Sequence, residues 1–148
     1  LESIYPGALA LQTSGNILQA NHNFYEAFCT QDIESMRDLW AAKDNLVCIH
    51  PGWGLLQGWD DIMRSWAGIF QTPSTPAIRP VEETVFEQGA YAFVVCGESV
   101  EGAEPSLVAT NIFEESKDGW KLVHHHVSPI LQIAEDLEEI ETPEEALH

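Results

Sequence analysis

Basic side chains are the scarcest class in this chain: six Lys and Arg stand against 24 Asp and Glu, for a formal net charge of −18. A surface that acidic repels phosphate backbones and anionic headgroups, which argues against nucleic acid and membranes as partners. Long apolar runs are also missing. None approaches the roughly 20 residues that a bilayer-spanning helix needs, and Ile4 to Leu11 lacks the basic flank of a signal peptide, so a cytoplasmic, soluble protein is expected. Cysteine is sparse: Cys29, Cys48 and Cys96 show no C-x-x-C spacing, and each sits in an apolar stretch. Buried free thiols in a reducing compartment fit that pattern better than a disulfide framework. The sequence has no G-x-G-x-x-G, no Walker-type G-x-x-x-x-G-K, no G-x-S-x-G and no Cys with a motif-based activation partner. Nucleotide-dependent and covalent mechanisms are disfavoured, and no cofactor is expected.

What is present suits one ordinary domain, since 148 residues with 45% hydrophobic content can build a core without metals or disulfides. Charge is uneven. Residues 130 to 148 hold seven carboxylates and no Lys or Arg, which reads as a solvated acidic tail. At the other end, residues 1 to 14 carry Pro6, Gly7 and little periodicity, a lead-in. From about Asn16, Ile17, Ala20, Phe24, Ala27 and Phe28 recur at helical spacing, with Ser14 and Asn16 as candidate caps. A second helix opens at Thr30 or Asp32, with Glu34 in its first turn and Ile33, Met36, Leu39 and Trp40 on one stripe. Asn45 to His50 reads as a short strand ended by Pro51-Gly52, and Trp59 to Gln71 as a third helix with Ile62, Trp66, Ile69 and Phe70 on one face.

After the breaker at Thr72 to Pro76 the pattern turns to strands: Ile78 to Glu87, Ala90 to Val100, Leu107 to Glu115 and Trp120 to Val127. Helices followed by an antiparallel meander make an α+β fold. Tyr91 to Cys96 and Leu107 to Ala109 are apolar on both faces, whereas a sheet covered on one side alternates cleanly. Three helices cover one face. The other needs a partner, either a second copy in a two-fold dimer or the C-terminal segment folded back.

Phe24-Tyr25 in the first helix, Asp32, Met36 and Trp40 in the second, His50-Pro51 after the first strand, and the closing Asn111-Ile112-Phe113 and Gly119 to Ser128 strands resemble the NTF2-like superfamily, in its SnoaL-like, ketosteroid-isomerase-related branch. The resemblance covers about residues 16 to 130 and implies one SnoaL-like domain over 15–130, between the lead-in 1–14 and the tail 131–148. It implies a cone-shaped (cystatin-like) fold, with N-terminal helices packed on a curved antiparallel sheet around an apolar cavity, and a homodimer through the sheet. Catalytic members related to ketosteroid isomerase move a proton beside a carbonyl, using a carboxylate base and an oxyanion hole of a tyrosine and a neutral carboxylic acid. Here His50 stands where a carboxylate would, and the second-half candidates are His and Asn, a departure from the steroid-isomerase set.

Strict alternation along the last strand places Trp120, Leu122, His124, His126 and Ser128 on one side, and Lys121, Val123, His125 and Val127 on the other. His50 and His126 then form the candidate base and oxyanion partner, with Asn111 orienting a histidine or polarising a carbonyl. The alternative is that all three are satisfied core residues. Trp53, between Gly52 and Gly54, is a candidate lid or stacking platform. Trp66 and Tyr25 occupy helical core positions that can also line a cavity, and His124 shares the face of His126. Consecutive histidines point to opposite faces, so only His124 and His126 could converge on a metal, and no native metal site is expected. The resulting expectation is a cavity for a small, partly hydrophobic carbonyl or carboxylate compound, with cofactor-independent isomerase, cyclase or dehydratase chemistry. A non-catalytic carrier or sensor, or a dimeric interaction module, is the alternative.

Overall fold

The structure, a computed structural model, describes residues 6–131, with side chains from Asn16 onward. Three helices, α1 (Pro6–Cys29), α2 (Ile33–Leu39) and α3 (Trp59–Ile69), accompany six strands. These are β1 (Val47–Ile49), β2 (Leu56–Gln57), β3 (Ile78–Gln88), β4 (Tyr91–Val100), β5 (Leu107–Ser116) and β6 (Gly119–Pro129). Helix α1 starts at Pro6, within the expected lead-in; proline is favoured in a first turn, where its missing N–H has no partner to lose. The acidic tail lies outside the described residues beyond Leu131.

Asp32 caps α2, its carboxylate accepting from Ser35 N at 3.1 Å and from Ser35 Oγ at 2.7 Å, and Glu34 and Arg37 suit the two ends of the helix dipole. Helix α3 buries Ile62, Met63 and Trp66. The sheet runs β2-β1-β6-β5-β4-β3 and is antiparallel except for one parallel pair, β1 beside β6, with Cys48 opposite His125 and Ile49 opposite His126. That pairing brings the C-terminal end of β1, and therefore His50, beside the middle of β6.

Two bulges shift which residues face inward. Between β5 and β6, Ile112 pairs with His124 but Phe113 pairs with Leu122, so Val123 is an extra residue. Between β3 and β4, Val81 pairs with Gly97 and Thr84 with Val95, and Glu82 in this bulge has φ +53°. The left-handed region costs a non-glycine residue roughly 1–2 kcal/mol.

Ile17, Phe24, Tyr25, Met36, Trp40, Leu46, Ile62, Trp66, Val94, Phe113 and Leu122 fill the space between helices and sheet. Each such large side chain contributes about 1.5–3 kcal/mol by leaving water. The opposite sheet face has no covering element among the described residues, and Phe86, Tyr91 and Val108 are exposed on it.

Candidate functional site

A cavity of about 200 Å³ opens at the end of the sheet where β1 stops, lined by side chains of α1, α3, β3, β4 and β6 and by the turn after β1. Its wall is apolar, with Phe24, Phe28, Trp53 and Trp66 beside Pro51, Ile69, Ile78 and Val127. Four polar residues enter it, His50, His125, Tyr25 and Glu98.

His50 ends β1 and is buried. The turn that follows has Pro51 and then Gly52 at φ +79°, closed by Trp53 N donating to His50 O at 2.9 Å, the arrangement of a type II turn. This folds Trp53 back onto His50 with ring centroids 4.7 Å apart, while the Trp53 side remains half exposed at the mouth. Trp66 meets the other side of His50 edge-on at 4.6 Å. Ser65 Oγ lies 2.9 Å from His50 Nε2 and donates its own proton to Ile62 O at 2.7 Å, so it accepts from a His50 Nε2–H. Burial pushes the His50 imidazole down to about 4, which keeps it neutral.

His125 lies 6.5 Å from His50, centroid to centroid, and packs on Phe24 at 4.6 Å. Its Nδ1 is 2.5 Å from Asn111 Oδ1, and Nε2 has no partner among the described residues. Burial first, then the neighbouring His50, His124 and His126, hold it well below the usual histidine range. Asn111 Nδ2 donates to Asn21 Oδ1 at 2.9 Å and to Tyr25 Oη at 3.2 Å. Tyr25 in turn donates to Glu98 Oε2 at 2.6 Å. Burial raises Glu98 toward its neutral acid and outweighs the opposing Tyr25 hydrogen bond; it also raises Tyr25, with Glu98 adding to the effect.

Of the residues singled out from sequence, His50, Trp53, Trp66 and Tyr25 line the cavity, and Asn111 sits behind it as a hydrogen-bonding hub. His126 and His124 do not line it. His126 is exposed on the outer sheet face, and His124 borders a separate hollow there with Val47, Phe93 and Val123. The reason is the Val123 bulge: the inward series runs Leu122, His125, Val127, one residue out of step with strict alternation. His125 therefore takes the place assigned to His126. Glu98 was missed because it sits in the alternating inner series of β4, Ala92-Val94-Cys96-Glu98, where a carboxylate at the strand's inner end was itself the available signal. Among the described residues no three His, Cys, Asp or Glu side chains are grouped to hold a metal ion. The thiols of Cys48 and Cys96 are pushed up by burial to about 12 and about 11, which removes them as nucleophiles.

Residues 17–132 match the SnoaL-like domain. The chain belongs to the SnoaL-like family. Among solved structures, it is 33% identical to a candidate dehydratase of the NTF2-like family from Streptomyces avermitilis, covering 79% of this chain and 95% of the other at a TM-score of 0.70. It is 28% identical to a candidate calcium/calmodulin-dependent protein kinase type II association domain from Thiobacillus denitrificans, covering 76% and 93% at a TM-score of 0.66. A curated relative, the F-box protein SKIP8 of Arabidopsis thaliana, is 27% identical over 121 residues, and the chain spans about half of that relative's length. As a SnoaL-like chain this protein has the NTF2-like, cystatin-like α+β cone. No helix among the described residues is long and apolar enough to cross a membrane.

Proposed function

We propose that the cavity binds a small uncharged carbonyl compound and moves a proton beside its carbonyl, as an isomerase or dehydratase does. One observation carries this reading: two neutral imidazoles and a buried carboxyl group that burial shifts toward its protonated form converge on an otherwise apolar cavity. In the reaction, His125 or His50 accepts the proton from carbon, and Glu98 places a proton on the carbonyl oxygen through Oε1, since Oε2 is held by Tyr25. The two histidines and the acid make the proton transfer internal to the site. No Lys or Arg lines the cavity to balance an anion, so a ketone or aldehyde suits it better than a carboxylate. Its volume of about 200 Å³ lies below the roughly 300–1,000 Å³ of drug-sized sites, which favours a compound smaller than a steroid. The dehydratase assignment of the Streptomyces relative is consistent with this chemistry.

The test is native mass spectrometry of the purified protein followed by denaturing extraction. A one-to-one neutral carbonyl compound, lost in His50→Gln and His125→Gln, is the expected result. Extraction of an anionic lipid or nucleotide from the cavity would overturn the reading.

The bare outer sheet face supports a second proposal, a two-fold dimer through β3 to β6. Phe86, Tyr91 and Val108 are exposed there beside partly buried Phe93 and Ile112, an apolar surface that water tolerates poorly. The name of the Thiobacillus relative, an association domain, agrees with pairing at such a face.

A further inference from the structure

A line of side chains connects the protein surface to His125, and the reaction described above uses none of it beyond His125 itself. Glu83 on β3 receives two hydrogen bonds from α1, one at Oε1 from His22 Nε2 at 2.7 Å and one at Oε2 from Asn21 Nδ2 at 2.8 Å. Asn21 is fully buried and accepts from Asn111 Nδ2, and Asn111 Oδ1 meets His125 Nδ1. The β3 bulge changes the parity of the strand, so that Glu83, and not the strained Glu82, turns toward α1.

The bond directions follow from the carboxylate at the outer end, and the contact of Asn111 Nδ2 with Tyr25 Oη, whose proton goes to Glu98, orients Asn111 the same way. A carboxylate only accepts, so Asn21 turns its NH2 to Glu83 and its oxygen to Asn111. Asn111 must then turn its NH2 to Asn21 and its oxygen to His125. An oxygen facing Nδ1 requires the proton on Nδ1, and Nε2 keeps its lone pair. Reversing any single amide would place two oxygens, or two NH2 groups, against each other.

We infer that Glu83 is a positioning residue: acting through Asn21 and Asn111, it holds His125 in the Nδ1–H tautomer and so makes Nε2 the proton acceptor of the cavity. Its use in catalysis rests on the proton-transfer reading, but the tautomer is a property of the free protein. The ligand consequence is a compound that brings a proton to Nε2, an acidic C–H or a hydroxyl beside the carbonyl.

The experiment is long-range ¹H–¹⁵N correlation of the full chain labelled with ¹⁵N-histidine, near neutral pH, with His125 assigned by its loss in His125→Gln. The expected spectrum shows one neutral His125 protonated at Nδ1. A proton on Nε2, or shifts averaged between both tautomers, overturns the inference. Glu83→Leu in a Tyr25→Phe background removes both anchors of Asn111 and should give averaged shifts, while Glu83→Gln in that background, whose carbonyl still accepts from Asn21, should restore the single tautomer. Unchanged His125 shifts in a folded Glu83→Leu/Tyr25→Phe protein overturn the inference as well, and if that variant does not fold, the unsubstituted protein and Glu83→Gln in the Tyr25→Phe background decide it. With an active substrate and in the Tyr25→Phe background, Glu83→Leu should lower kcat about tenfold or more, on the scale of lost outer-shell support, with KM little changed. A single Nδ1–H tautomer without any proton transfer to or from carbonyl compounds would sink the enzymatic reading and leave this one standing.

Discussion

His50 and His125 are neutral because they are buried, and this fixes how the protein responds to acid. The His50 pKa falls from about 6.5 in the unfolded chain to about 4 in the fold. Between those values the unfolded state binds more protons than the native state, so stability is complete above about pH 6.5 and is lost as pH falls toward 4. The difference amounts to roughly 3 kcal/mol from His50, and His125, shifted in the same direction, adds to it. Thermal midpoints should therefore drop steadily from pH 7 to pH 4.5, and His50→Gln should shallow that slope; a flat profile in the unsubstituted protein would contradict the burial argument. The histidines of β6 differ by burial in the same way. His125→Gln should lower a proton-transfer rate by about 10²-fold or more, whereas His126→Gln, exposed on the far face, should change it less than about threefold. His50, Tyr25, Trp53 and Trp66 line the cavity, and their types and positions, at a strand end, on a glycine-flanked loop and on apolar helix stripes, pointed there from sequence. Strict alternation put His126 with the inner series where the structure has His125, because one extra residue, Val123, is invisible to a pattern of period two.

At the scale of elements, the two bulges do most to determine the site. The Val123 bulge selects His125 for the interior, and the Glu82 bulge selects Glu83 for the contact with α1. Helix order, the Asp32 cap and the long strands were legible from periodicity and turn residues, since these depend on local chemistry. Register was not, nor was the parallel pairing of β1 with β6, because both are settled by contacts between distant segments. The early start of α1 at Pro6 escaped for a related reason, since a stretch with little periodicity gives no amphipathic signal even where the backbone is helical. Strain at Glu82 offers a direct check. Glu82→Gly removes the left-handed penalty of φ +53° while adding freedom to the unfolded chain, and should stabilise by about 0.5–1 kcal/mol. An unchanged or lowered unfolding midpoint in urea would show that the bulge backbone is unstrained.

For the whole molecule, the asymmetry between the two sheet faces links the fold to assembly and function. One face closes on three helices and leaves the cavity at one end; the other presents Phe86, Tyr91 and Val108 to solvent. Residues apolar on both faces of β4 and β5 made this readable from sequence, although the partner itself was not. Phe86→Asp should convert a dimer to a monomer in analytical ultracentrifugation, without loss of the cavity, and an unsubstituted protein that is monomeric throughout the micromolar range would end the dimer proposal. The central claim concerns the chemistry inside. Its most direct measurement is deuterium uptake from D2O into the carbon beside the carbonyl of a panel of small uncharged ketones, aldehydes and β-hydroxy carbonyl compounds, followed by ¹H NMR. The account predicts protein-catalysed exchange in at least one compound, lost in His125→Gln or His50→Gln and retained in His126→Gln. Exchange no faster than buffer across the panel, or exchange that survives both cavity substitutions, would contradict it.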